Sequence, residues 1–162
     1  RVTEISTSRR ALRASLVLAL TVPLLAGCAL LEGPTPETPE RTKQPVPEVA
    51  PEFVPDGTAE ENLPYFTELI RGYASSEEPI TGEPVAQAVV DGGFDKTMIQ
   101  FSFDESKTGL VADNIFVSVR VGADCLIGQL VTEDRGFVTA VEPAVGPAAD
   151  ICLIGTTRAV DW

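Results

Sequence analysis

The period of the hydrophobic pattern changes once along this chain, and that change restricts the fold more than any other feature. Leu63, Phe66, Ile70 and Tyr73 recur at steps of three and four, which places them on one face of a helix. From Ile99 the step is two: Ile99, Phe101 and Phe103 alternate with Gln100, Ser102 and Asp104, and Ile115, Val117, Val119 and Val121 alternate with Phe116, Ser118 and Arg120. Thr58 and Glu61 have the spacing of a capping box at the first helix, and Pro64 either kinks that helix or moves its start to Asn62. A second, shorter helix is expected over Glu83–Val90, ended by Gly92 and Gly93. Gly122-Ala123-Asp124 reads as a three-residue turn joining strands 115–121 and 125–131 into a hairpin. Glu133-Asp134-Arg135-Gly136 is a further turn before a strand at 137–142, and ICLIG at 151–155 is the last expected strand. Helices first and strands afterwards predict an α+β domain over residues 57–162, with two N-terminal helices packed on a largely antiparallel sheet of about five strands.

Upstream the chain has a different character. Arg1, Arg9, Arg10 and Arg13, with Glu4 as the one acid, precede fourteen uncharged and mostly apolar positions from Ala14 to Gly27. As a helix that run rises about 21 Å, short of the roughly 30 Å hydrocarbon core, so a secretory signal over residues 1–27 fits better than a spanning helix. Leu25, Ala26, Gly27 and Cys28 resemble the lipobox of bacterial lipoproteins. That resemblance implies diacylglyceryl transfer to the Cys28 thiol and cleavage that makes Cys28 the new N-terminus. The competing readings are an ordinary signal peptide ending near a cysteine and an uncleaved membrane helix. Because Met98 is the only methionine, position 1 is expected to be a fragment start or a mistaken one, which leaves the charged region incompletely known.

Between Pro34 and Pro55 seven prolines fall in 22 residues, so residues 28–56 read as a tether. In polyproline II geometry it reaches roughly 80 Å from a bilayer. A PxxP ligand for a partner domain is the alternative. Charge divides at the same place. The whole chain carries 12 Lys and Arg against 24 Asp and Glu; without residues 1–27 the balance is 8 against 23, a net charge of −15. So acidic a surface repels nucleic acid and anionic headgroups, which excludes both as direct partners; it suits solubility, with cations or a basic partner as the specific alternative.

With Cys28 consumed by lipid, Cys125 and Cys152 remain, and outside the cytoplasm a disulfide between them is the expected state. A redox pair ordinarily uses CxxC spacing, which is missing, and two buried free thiols are the remaining alternative. The chain has no histidine, which removes Ser-His-Asp and Cys-His chemistry and the HExxH metal site and leaves a zinc site short of ligands. No phosphate-binding glycine motif is present, and neither cofactor nor metal is expected. What remains for catalysis is a carboxylate pair, with Asp104, Glu105, Glu133 and Asp134 as candidates for glycoside hydrolysis. The quartet CLIG at 125–128 and 152–155 has flanks too dissimilar to make a repeat.

VADNIFVSVRVGADCLIGQ, Val111–Gln129, together with CLIGTTRAVDW, Cys152–Trp162, is similar to an uncharacterised domain of actinobacterial lipoproteins that also follows a lipobox and a proline-rich tether. The resemblance covers the chain from about residue 57 onward and implies an outward-facing, membrane-anchored protein of a Gram-positive envelope; it assigns no activity and no catalytic residue. The expected function is therefore a membrane-anchored extracytoplasmic lipoprotein carrying a non-catalytic binding or interaction module of the cell envelope. Its partners are the bilayer, through acylated Cys28, and an envelope protein or ligand. A small cell-wall-directed hydrolase using carboxylates is the runner-up, and an accessory subunit of an envelope complex the third reading.

Overall fold

The computed structural model describes residues 44–162. Cys28, the expected signal peptide and the first part of the proline-rich segment, residues 34–43, lie outside the described residues. Two helices come first, α1 (Ala59–Ala74) and α2 (Gly82–Asp91). A 3-10 turn, Lys96–Met98, leads into β1 (Ile99–Phe101), followed by β2 (Asn114–Val121), β3 (Asp124–Val131), β4 (Phe137–Pro143) and β5 (Arg158–Ala159). All pairings are antiparallel, in the order β4-β3-β2-β1-β5, so the fold is α+β with the helices preceding a five-stranded sheet.

Helix α1 begins where its cap dictates. The Thr58 hydroxyl accepts from the Glu61 amide and the Glu61 carboxylate accepts from the Thr58 amide, a complete capping box. Pro64 therefore does not move the start to Asn62; it lies within the helix on an exposed face, where water can satisfy the carbonyl left without a donor. The stripe formed by Ala59, Phe66, Ile70 and Ala74 is buried against the sheet. On the sheet side, register puts Ile99, Phe101, Ile115, Val117, Val119, Leu126 and Leu130 on one face, and all are buried. Gly128 shares that face, and a Cβ there would stand 3.2 Å from the Ile70 side chain and 3.3 Å from Phe66, so its missing side chain sets how closely α1 approaches the sheet.

The hairpin turn is tighter than expected. Val121 pairs with Asp124, leaving Gly122-Ala123 as a two-residue loop, with Gly122 at φ 64°. Glycine with positive φ at the first central position is the type II′ pattern, whose twist matches that of the flanking strands. The segment 151–155 is not a ladder strand, contrary to expectation. Ile151 makes only an isolated bridge to Val145, Ile154 is 92% exposed and Gly155 has φ 113°. The ladder position beside β1 belongs instead to Arg158–Ala159.

The strand order explains why. Strands β4 and β5 occupy opposite edges, so residues 144–157 must cross the sheet, a span of about 19 Å at strand spacing. They cross the face turned away from the helices. Cys125 points to that face and is joined to Cys152, Cα to Cα 5.6 Å. The Gln100 side chain holds the crossing at two further points, accepting from the Cys152 amide and donating to the Asp150 carbonyl. Ser118, on the same face, is fully buried.

Contacts with the domain begin earlier than the expected boundary at residue 57. Gln44 Nε2 donates to the carbonyl and hydroxyl of Thr139, while the Arg71 guanidinium donates to the carbonyls of Gln44 and Pro45. Asn62 holds Val54 at both its amide and its carbonyl, and Phe53 packs on Tyr65 and Phe94 with ring centroids 5.6 and 5.0 Å apart. Proline density signals extended backbone; it does not preclude packing by the residues between the prolines.

Arg135 closes the far end of α1. It sits in the β3–β4 turn at φ 56°, a left-handed conformation costing on the order of 1 kcal/mol for a non-glycine residue. Its guanidinium donates to the carbonyls of Tyr73, Ala74 and Glu78, two of which end the helix. A cation at these carbonyls also complements the negative end of the helix dipole. Arg135→Met retains the backbone cost and removes the three bonds, so urea unfolding should show a loss of about 2 kcal/mol. A midpoint unchanged from wild type would contradict this role.

Candidate functional site

The four carboxylates singled out by sequence lie at one end of the sheet, near the C-terminus of β1 and the turn between β3 and β4. Two of the four are engaged by backbone amides. Asp104 Oδ1 accepts from the Gly82 amide at 2.5 Å, capping α2 from a distant position where the local cap residue, Thr81, makes no side-chain bond. Glu105 is exposed beside its bridge partner Val111. Asp134 Oδ1 accepts from the Gly136 amide at 2.9 Å within the turn, and Glu133 is exposed. Among the described residues no cluster of acids, cysteines or histidines is placed to hold a metal ion.

The concave feature of interest is at the opposite end, about 24 Å away along the eight residues of β2. There a cleft of ≈ 150 Å³ opens between the N-terminal segment 53–57, Asn62 of α1, the Phe94–Met98 stretch and the end of β2. Its apolar walls include Phe53, Phe94, Met98, Val119 and Val121; its charged lining residues are Arg120, Asp56 and Asp95. The walls are held from behind. Phe53, Tyr65, Phe66 and Phe94 form a cluster of tilted and edge-on rings, the geometry aromatic quadrupoles favour.

Arg120 is distinctive among the four described arginines. Arg71 meets Glu68 and two carbonyls, Arg135 three carbonyls, and Arg158 the Glu83 carboxylate. Arg120 meets no oxygen acceptor among the described residues; its Nη2 donates to the Met98 sulfur at 3.1 Å. A thioether is a weak acceptor, and a guanidinium carries five N–H donors. Strand β2 thus presents a cation with most of its hydrogen-bonding capacity unused.

The acids of the cleft differ from one another. Asp95 accepts from the Thr97 amide and hydroxyl, bonds that hold its carboxyl below the ordinary aspartate range and keep it ionised. It is therefore a poor proton donor. Asp56 occupies the third position of a turn closed by the Gly57 amide on the Val54 carbonyl, with Pro55 before it and φ 58° at Asp56. Pro at the second position and positive φ at the third are the type II pattern, in which glycine or asparagine is usual. Nothing in the hydrophobic pattern marks this site. The available clues were a lone arginine in an apolar strand and the turn sequence VPDG.

The molecule is thus a small α+β domain closed by one disulfide, with a mixed-charge cleft at one end of its sheet. Residues 70–156, more than half of the chain, match the family described as Domain of unknown function (DUF6993), and the chain belongs to that family. No curated protein and no solved structure matches it.

Proposed function

We propose that this protein is a lipoprotein of an actinobacterial, Gram-positive envelope, anchored by acylated Cys28 to the outer face of the cell membrane, whose domain acts by binding and not by catalysis. The anchor reading rests on the LLAGC sequence behind a short apolar run. A Cys125–Cys152 disulfide agrees with an oxidising compartment. Binding is supported chiefly by one observation: at the end of β2, where a cleft with aromatic walls opens, the Arg120 guanidinium has no oxygen acceptor among the described residues. Against the hydrolase alternative stand the structural duties of Asp104 and Asp134, two of its four candidate carboxylates, which hold backbone amides.

The test is a thermal-shift screen of the detergent-solubilised protein against fractions of envelope extract, paired with an assay for released glycan. A ligand at a hundred times its Kd stabilises by about 2.7 kcal/mol, or roughly 10 °C for a domain of this size. At least one fraction should raise the melting temperature on that scale, less so for Arg120→Gln, with no glycan released. Glycan cleavage by the wild type that disappears in Asp104→Asn or Glu133→Gln would replace the binding reading by the hydrolase.

A further inference from the structure

We propose that the Cys125–Cys152 bond is a site of thiol–disulfide exchange: a CxxC-type protein dithiol attacks the Cys152 sulfur, Cys125 leaves as a thiolate stabilised by Arg120, and residues 144–157 are released from the sheet. The chain has no CxxC pair of its own, so it is the substrate of this exchange and not its donor. The inference goes beyond the binding reading and does not depend on it.

Register makes the two sulfurs unequal. Val121 and Asp124 flank the two-residue turn as a hydrogen-bonded pair, and the Thr132 amide on the Asp113 carbonyl keeps the same alternation at the far end of the ladder. Arg120 and Cys125 are therefore a non-hydrogen-bonded pair, the kind whose side chains stand closest, with Cβ atoms about 4.5–5.5 Å apart on one face. A guanidinium in that position reaches the Cys125 sulfur by side-chain rotation, giving up only the weak Met98 thioether for the stronger acceptor that a thiolate is. Three acids stand near. Glu142 faces Cys125 from β4, but in a hydrogen-bonded pair, as the Val131 amide on the Gly136 carbonyl fixes, and it is exposed. Asp150 is exposed on the crossing segment, and Asp124 takes the opposite face of the sheet. Water screens the exposed carboxylates more than the half-buried Arg120, so the local field favours a thiolate at Cys125. Cys125 is 1% exposed and Cys152 8%, so the sulfur offered to an attacking thiol is that of Cys152.

A donor thiolate attacks Cys152 Sγ; the new S–S bond forms as the bond to Cys125 breaks, and the electron pair leaves with Cys125 Sγ. The donor's second thiol, deprotonated in turn, attacks its own partner sulfur in the mixed disulfide and releases Cys152. The protein disulfide gains two electrons and, from the donor's two thiols, two protons; the dithiol is oxidised to a disulfide. A lower pKa of the leaving thiol speeds the first step, which is the part Arg120 plays. Reduction leaves the crossing segment held mainly by the two bonds of the Gln100 side chain. The apolar core lies on the other side of the sheet, against α1 and α2, and includes neither cysteine. Release of residues 144–157 thus opens the face on which Ser118 and Cys125 are buried while the core stays packed.

Reduction of the full-length protein in detergent tests it. The probes are thioredoxin and a thioredoxin whose second CxxC cysteine is replaced by serine, which stalls at the mixed disulfide; alkylation followed by peptide mass spectrometry reads Cys125 and Cys152 apart from Cys28. The stalled donor should be found on Cys152, and reduction should outpace global unfolding as measured by hydrogen exchange of β2 and β3. Arg120→Gln should slow reduction by about threefold or more, as a one-unit change in the leaving thiol's pKa does at a Brønsted slope of about 0.5. Arg120→Lys, which keeps the charge, should retain most of the wild-type rate, and Glu142→Gln should raise it. In the reduced protein iodoacetamide should label Cys125 as well as Cys152 while β2 and β3 remain protected. A stalled donor on Cys125, reduction no faster than global unfolding, a rate indifferent to Arg120→Gln, or labelling of Cys125 only on global unfolding overturns the proposal. None of these outcomes bears on ligand-induced stabilisation, which tests the binding reading separately.

Discussion

Reducing the Cys125–Cys152 bond, or replacing either cysteine by serine, is expected to lower the melting temperature by roughly 15 °C. The two cysteines are 27 positions apart, and a closed loop of about that length corresponds to about 3.5 kcal/mol in the chain-entropy account of cross-links. For a domain near this size, each kcal/mol moves the transition by about 4 °C. The structural reason is the route of residues 144–157. They cross a sheet face that no helix covers, and apart from the disulfide they are held to it mainly by the Gln100 side chain. Without the bond, the crossing segment and β5 should become the first part of the domain to exchange amide hydrogen, while β2 and β3 remain protected. Melting curves with and without reductant, followed by hydrogen exchange on the reduced protein, provide the check. A reduced protein that melts within 3 to 4 °C of the oxidised one, a change of about 1 kcal/mol, would show that the cross-link is incidental to the fold.

Much of this architecture was legible because local signals agreed with burial. The capping box at Thr58, the stripe through Phe66 and Ile70, and the alternation in Ile115–Val121 each encode one element and its inward face. ICLIG misled because apolar content was read as ladder membership. A chain pinned over a sheet by a disulfide also buries an apolar residue at intervals, and Gly155 at φ 113° turns it away from an extended path. The contacts of the acids were less legible for a related reason. Asp104 and Asp134 are placed by amides that lack other partners, Gly82 from a distant helix and Gly136 within the same turn, and only the Asp134 contact is local enough to be read from spacing. Arg120 and Arg135 look alike in the sequence, yet one caps a helix with three carbonyls and the other meets a thioether. Tertiary placement alone separates them.

Cys28 carries the largest functional effect expected of any single residue. A single acyl chain holds a protein on a bilayer only marginally, whereas two hold it stably at about 0.8 kcal/mol per buried CH₂. Among the described residues no helix is long and apolar enough to cross a membrane, so nothing in the domain offers a second means of attachment of that kind. Cys28→Ser should therefore abolish both lipidation and membrane retention while leaving the domain's melting curve unchanged, because serine differs from cysteine only in lacking the thiol that would carry the lipid. Such a variant separates loss of the anchor from loss of folding. The most direct test of the account is mass spectrometry of the N-terminal peptide from membrane-fractionated cells, for wild type and Cys28→Ser side by side. The account predicts a wild-type peptide beginning at Cys28 and bearing a diacylglyceryl mass, found in the membrane fraction, and its loss from that fraction in the variant; an unmodified Cys28, with wild type and variant distributed alike, would contradict it.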